Sequence, residues 1–170
     1  MRRMLWTLFC PAFLSAFSCP ASAAGIKEIV VALESTPPHF NPALLSGSTV
    51  ATVGVQLYAG LTRVDAAGNA VPYLAKSWET SPDGLSVRFE LRENAFFHDG
   101  HPITSDDVAY SILMSREYHP FRPMLESVTR VDTPSPHTVI VRLSRPFPLL
   151  PKVLVPALVP ILPRHVFDDR

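Results

Sequence analysis

Six prolines constrain this chain more than any other feature. Between residues 145 and 163 the sequence is apolar enough to pass for a membrane segment, but Pro146, Pro148, Pro151, Pro156, Pro160 and Pro163 interrupt it every two to five residues. Each proline lacks the amide that a helix needs and collides with the preceding turn, at about 3 kcal/mol in a helix interior. A membrane-spanning helix is therefore excluded, and a short helix over residues 149–155 is the most the segment can form. These prolines belong to a set of 18 that is densest after residue 119 and separates folded elements rather than building a low-complexity run. No internal repeat accompanies them.

The other end of the chain reads as an export signal. Met1-Arg2-Arg3-Met4 is basic, residues 5–17 are apolar apart from Thr7 and Ser15, and Ala21-Ser22-Ala23 supplies a small-x-small site, which predicts cleavage after Ala23 and a secreted protein. The apolar run falls short of the roughly 20 residues that a bilayer requires. An uncleaved anchor is one alternative. A lipoprotein signal at Cys19 is another, against which Ala16-Phe17-Ser18 makes a poor lipobox. Cys10 and Cys19 both fall in this segment, so residues 24–170 contain no cysteine and no disulfide can staple them. Without Arg2 and Arg3 the balance is thirteen basic to fifteen acidic residues, a formal charge of −2. Nucleic acid and anionic membrane surfaces are not expected as partners, because both reward clustered positive charge. The length suffices for one domain with its own core.

Residues 26–33 are rich in Ile and Val and nearly uncharged, which predicts a strand buried on both faces. Thr36-Pro37-Pro38 ends it and opens an extended loop through Asn41. A helix is expected from Ser48 to Tyr58, with Val50, Val53 and Leu57 on one face. Residues 60–64 and 70–71 form a hairpin across Asp65-Ala66-Ala67-Gly68-Asn69. A second hairpin pairs residues 77–80 with 86–91 across Ser81-Pro82-Asp83-Gly84, with Val87, Phe89 and Leu91 facing one way and Ser86, Arg88 and Glu90 the other. Thr104-Ser105-Asp106-Asp107 starts a helix, since a hydroxyl can accept from free first-turn amides and carboxylates suit the positive end of the helix dipole. Its buried stripe runs through Val108, Ile112 and Met114 or Ser115 to about Arg116. Residues 127–131 and 137–143 read as a further strand pair joined through Thr133-Pro134-Ser135-Pro136.

Chemistry-bearing residues are few. His98, Asp99 and His101 could offer three ligands to a metal, but a structural zinc site wants four, no cysteine is left to add one, and His119, His137 and His165 are scattered. The turn explains the cluster without a metal: Asp99-Gly100 reverses the chain and Pro102 holds the preceding residue extended. There is no Gly-x-Ser-x-Gly elbow and no phosphate-binding loop, and Asp106 and Asp107 are accounted for by the helix start. Trp78, Phe96 and Phe97 read as core residues. What remains is a binding module.

Tyr58-Ala59-Gly60-Leu61-Thr62, Val71-Pro72-Tyr73-Leu74-Ala75-Lys76-Ser77-Trp78-Glu79, Ser81-Pro82-Asp83-Gly84, Val87-Arg88-Phe89-Glu90-Leu91-Arg92 and the run from Phe97 to Val108 resemble, in that order, the signature of one family. It is the extracellular solute-binding proteins of peptide/nickel-type ABC transporters, family 5. Pro136-His137-Thr138-Val139 and Ile161-Leu162-Pro163-Arg164-His165-Val166-Phe167 continue the likeness, which spans essentially all of residues 24–170.

The resemblance implies a mixed, α+β architecture, the N-terminal part of a type II periplasmic-binding-protein fold. Such a receptor is two-lobed, closes on its solute in the periplasm and docks on a membrane permease. Residues 1–23 would be the signal peptide, 24–45 the first strand and loop of the main solute-binding lobe, 46–160 the small β-rich extra domain, and 161–170 the return to the main lobe. Family members are much longer, so the sequence is expected to be an N-terminal fragment or a truncated gene product that binds no peptide tightly by itself. Peptides are the expected solute, because the Pro136-His137-Thr138-Val139 segment is similar to the peptide branch. A nickel chelate or other small solute is the alternative, disfavoured by the lack of arginine in Val155-Pro156-Ala157-Leu158-Val159. Ser35, Thr36, Phe40 and Asn41 are the candidate solute-binding residues, with loop geometry around Pro37 and Pro38 as the competing role. The expected protein is a monomer with no catalytic residue, metal or cofactor. A reading of another class, a small secreted metal-dependent hydrolase using His98, Asp99 and His101, stands beside it.

Overall fold

The alternation of residues 86–91 becomes the inner ladder of a four-stranded antiparallel sheet. The computed structural model describes residues 30–44 and 47–168. The expected signal peptide and its cleavage site lie outside them, as does the first half of the strand expected over residues 26–33. Residues 30–32 belong to a unit separate from residues 33–168 and are described on their own. They pair with no strand among the described residues, and Val30 and Val31 are exposed. An apolar β-branched run is only a candidate strand until a neighbour supplies its ladder bonds.

In the larger unit the elements run α1 (Ser48–Leu57), β1 (Thr62–Val64), β2 (Ala70–Pro72), β3 (Ala75–Thr80), β4 (Ser86–Leu91), α2 (Ser105–Tyr118), a 3-10 turn (Arg122–Leu125), β5 (Val128–Ser135), β6 (Thr138–Leu143), α3 (Leu150–Val153) and α4 (Arg164–Phe167). β1 and β2 form a ribbon of their own; the main sheet has the order β3-β4-β6-β5. Val87 faces Val141 and Phe89 faces Val139 across β4 and β6, and all four are buried with Leu91. Arg88 and Glu90, two apart on the outer face, pair at 2.7 Å. Trp78 is half-buried, its ring 6.3 Å from that of Phe89.

α2 lies against this sheet through Val108 and Ile112, and its stripe continues at Ser115 rather than Met114. Three of its buried positions are serines. Ser105 Oγ donates to the Ser135 carbonyl at 2.7 Å, and Ser111 Oγ accepts from the Leu162 amide at 2.8 Å. Small hydroxyl side chains let neighbouring backbone approach the helix closely while satisfying it.

The proline-broken tail closes the core. Leu150, Leu154, Val159, Ile161 and Leu162 are all buried, each contributing about 2 kcal/mol of apolar transfer. Where the tail cannot form a helix ladder it bonds to other elements: the Thr62 amide donates to Leu154 O at 3.1 Å, Ile161 N to Ala59 O at 2.8 Å, and Thr62 Oγ1 donates to the Pro151 carbonyl. Gly60 makes this contact possible, because a Cβ there would stand 2.6 Å from Pro156 N.

Three sequence expectations change. β5 runs through Pro134, and only Pro136 and His137 separate it from β6. A sheet edge tolerates the missing amide, and the register shifts between Asp132 and Ser135. In α1 the buried face is Val50 and Gly54, with Leu57 exposed, because Pro42 packs onto Gly54. Phe96 is 61% exposed while Phe97 packs against the core, as the alternation of an extended segment requires.

Candidate functional site

The loop before α1 carries the four residues that the sequence singles out. Ser35, Thr36 and Phe40 are exposed, Phe40 by 55%. Ser35 Oγ lies 3.0 Å from Thr49 Oγ1 on α1, which ties the loop to the helix. Asn41 is half-buried and its Oδ1 accepts from the Ala43 amide at 2.9 Å, while its own amide donates to His39 Nδ1 at 3.3 Å. Its carbonyl oxygen is thus committed to the turn that delivers Pro42 to Gly54. The structure places Ser35, Thr36 and Phe40 on an accessible surface, and gives Asn41 a part in shaping it.

A cavity of about 530 Å³ lies elsewhere, between the end of α1, the segment after β4 and α4. Leu57, Tyr58, Phe96, Phe97, Val166 and Phe167 make most of its apolar wall, and His98 and Asp99 lie on its polar side. Burial raises the Tyr58 phenol pKa. None of the four loop residues lines it. An aromatic wall with few polar groups suits an apolar side chain or another apolar surface.

The turn beside this cavity is built from its own side chains. Phe97 N donates to His101 O at 2.8 Å, and Gly100 takes φ +87°, which an L side chain rarely adopts. Asp99 Oδ1 accepts from the His101 amide at 3.1 Å and Asp99 Oδ2 lies 2.6 Å from His165 Nε2. The His165 hydrogen bond, followed by that of the His101 amide, lowers the Asp99 pKa to about 2. His98, the nearest histidine in sequence, takes no part in this group. The grouping expected for a hydrolase, His98 with Asp99 and His101, is therefore replaced by Asp99, His101 and His165.

The helix start confirms the role read for the acidic pair and extends it. Thr104 and Asp107 form a capping box; Asp107 Oδ2 accepts from the Thr104 amide at 2.9 Å and from its hydroxyl at 2.8 Å. The other oxygen, Oδ1, accepts from the Arg164 amide at 3.0 Å, so a residue that caps one helix also holds the start of α4. Asp106 stays exposed.

Residues 69–169 match the family described as bacterial extracellular solute-binding proteins, family 5 Middle. A Brucella ovis protein named for peptide binding in an ABC transporter is 37% identical over 100 residues, covering 57% of this chain and 18% of the relative. The periplasmic oligopeptide-binding protein OppA of Haemophilus influenzae is 33% identical over 85 residues, covering 50% of this chain and 16% of the relative. Among solved structures, NikZ from Campylobacter jejuni in complex with Ni(L-His) superposes with a TM-score of 0.70 at 30% identity, over 81% of this chain and 28% of that one. The chain spans less than a third of the length of these curated relatives, and less than a fifth of the two just described.

Proposed function

The chain belongs to the bacterial extracellular solute-binding proteins, family 5, and from that premise we propose that it is part of the substrate-binding component of an ABC importer that captures di- and oligopeptides in the periplasm and hands them to a membrane permease. Its fold is the corresponding part of a type II periplasmic-binding protein. The family is one of substrate-binding proteins and not of enzymes, and we extend that to this chain.

The observation that carries the peptide reading is the 37% identity to the Brucella ovis relative named for peptide binding. Residues 1–23 act as a cleaved export signal in this reading. Residues 24–45 belong to the solute-binding lobe, 46–160 to a β-rich scaffold domain, and 161–170 to the return of the chain to that lobe. Ser35, Thr36 and Phe40 offer two hydroxyls and an aromatic face to a solute, with Asn41 holding the loop in shape. Hydroxyls suit peptide amides, and an exposed phenylalanine suits apolar side chains. The protein works as a monomer without nucleic acid.

A nickel chelate is the second reading, favoured by the likeness to NikZ with its Ni(L-His). Against it stands Val155-Pro156-Ala157-Leu158-Val159, a segment with no cation for an anionic chelate. Amide NMR on the labelled chain, titrated in turn with a tripeptide mixture and with nickel–histidine, separates the two. Peptide-dependent shifts clustered at residues 35–41 are expected. Shifts there with the chelate and not with peptide overturn the peptide assignment.

A further inference from the structure

Asp99, His101 and His165 bring one carboxylate oxygen and two imidazole nitrogens within 4.8 Å of one another. Two of the three are turn residues and the third arrives on α4, 66 positions from Asp99. Asp99 Oδ2 is 2.6 Å from His165 Nε2, and Asp99 Oδ1 is 3.3 Å from His101 Nδ1. The two imidazole rings lie close and tilted, with centroids 4.2 Å apart and planes 33° apart, and Phe97 meets His165 edge-on at 5.9 Å.

One carboxylate needs only one imidazole to satisfy it. Here a second ring, 62% exposed at its side chain and with solvent available on most sides, is folded over the first with its nitrogen turned to the same carboxylate. Donors held at 2.0–2.2 Å from a common tetrahedral ion stand about 3.4 Å apart. His165 Nε2 stands 2.6 Å from Asp99 Oδ2 and His101 Nδ1 3.3 Å from Asp99 Oδ1, and with one donor from each residue all three lie within 4.8 Å of one another, so small rotations of these exposed side chains bring them to the spacing of a central ion. Two imidazoles and one carboxylate suit borderline cations such as zinc, and are a poor match for magnesium or calcium, which want oxygen ligands. We propose that Asp99, His101 Nδ1 and His165 Nε2 form a three-ligand site for a divalent transition-metal ion of the zinc class, clasping the turn after β4 to α4. The remaining coordination position faces solvent and takes water or a small ligand. An ion there links two segments distant in sequence, so its binding free energy adds to the stability of the folded chain.

The site does not rest on the peptide reading, and its test does not use a peptide. Tag-free protein is titrated with zinc sulfate by calorimetry at pH 7.5, with magnesium as the control ion. One zinc per chain is expected, together with shifts of the His101 and His165 ring resonances and a higher thermal midpoint. His101→Ala, at an exposed position that folding does not need, and His165→Ala each weaken binding at least tenfold and abolish the thermal shift. His98→Ala leaves both unchanged. Circular dichroism establishes that each variant is folded. Absence of saturable binding, binding that survives His101→Ala, binding lost in His98→Ala, or displacement of zinc by equimolar magnesium would each overturn the assignment.

Discussion

Replacing Asp107 with alanine tests whether one buried carboxylate joins the helix start to the end of the chain. Asp107 is 6% exposed and accepts three hydrogen bonds, from the Thr104 amide, the Thr104 hydroxyl and the Arg164 amide. Loss of the cap costs about 1 kcal/mol. Removing the acceptor from the Arg164 amide costs about 1 kcal/mol more, and losing a carboxylate at the positive end of the helix dipole about 0.5 kcal/mol. The expected destabilisation of about 2.5 kcal/mol lowers the thermal midpoint by about 5–10 °C for a domain of this size. Urea unfolding followed by far-UV circular dichroism measures it, with Asp106→Ala as the exposed neighbour whose effect stays within about 0.5 kcal/mol. Hydrogen exchange adds a site-specific readout. The Arg164 amide should lose protection in Asp107→Ala while the Leu162 amide, bonded to Ser111 Oγ, keeps it. A loss no larger than that of Asp106→Ala, or equal deprotection of both amides, refutes the bridging role.

Four further outcomes follow from the same structure. Gly60→Ala should cost about 3 kcal/mol by overpacking, because its Cβ meets the backbone of residues 154–156 at 2.6–2.8 Å; an unchanged urea midpoint contradicts the close approach. Phe89→Ala should cost about 3–5 kcal/mol as a core cavity, whereas Phe96→Ala, at 61% exposure, changes the midpoint by less than about 0.5 kcal/mol, and equal effects would place both rings wrongly. His119 is buried, and desolvation lowers its pKa from 6.5, outweighing a smaller opposing influence of the Pro42 backbone. The unfolded chain therefore binds the extra proton first, so stability falls as pH drops below about 6.5 toward the lower folded value. His119→Gln should flatten that arm of the pH–stability curve. Asp99, held at about 2 by His165 and His101, adds stability that is present above the unfolded carboxylate value and lost as pH falls toward 2. A carboxyl-resonance titration of Asp99 near 4 would contradict its hydrogen bonding.

The elements and turns were readable because their causes are local. Alternation of Val87, Phe89 and Leu91 with Ser86, Arg88 and Glu90 needs only neighbouring residues, and Thr104 with Asp107 states a helix start in four. The same local view misplaced what depends on a partner. Residues 30–33 carry a strand-like pattern but have no ladder among the described residues, Leu57 is exposed because the buried face belongs to Gly54 under Pro42, and Phe96 is exposed although its type suits a core. Of the candidate site residues, the loop was found from its prolines, yet the split between exposed Ser35, Thr36 and Phe40 and turn-forming Asn41 comes from the Asn41–Ala43 hydrogen bond. His165 stands apart from the other histidines in the sequence, with the Ile161–Phe167 motif as its local context, and its approach to Asp99 is set by the fold.

The chain's primary structure by itself determined that the tail from residue 145 could not become a long helix, where the strands alternate, where α2 begins, and to which family the chain belongs. Those outcomes rest on backbone chemistry and side-chain periods that act over a few residues. Tertiary structure alone decided that the same tail would roof the core, that Ser111 would hold Leu162, that Asp107 would hold Arg164, and that His165 would meet Asp99. These contacts join positions 51, 57 and 66 apart. No local rule specifies such pairs, because each forms only where the packing of α2 on the sheet brings the returning chain within hydrogen-bond distance.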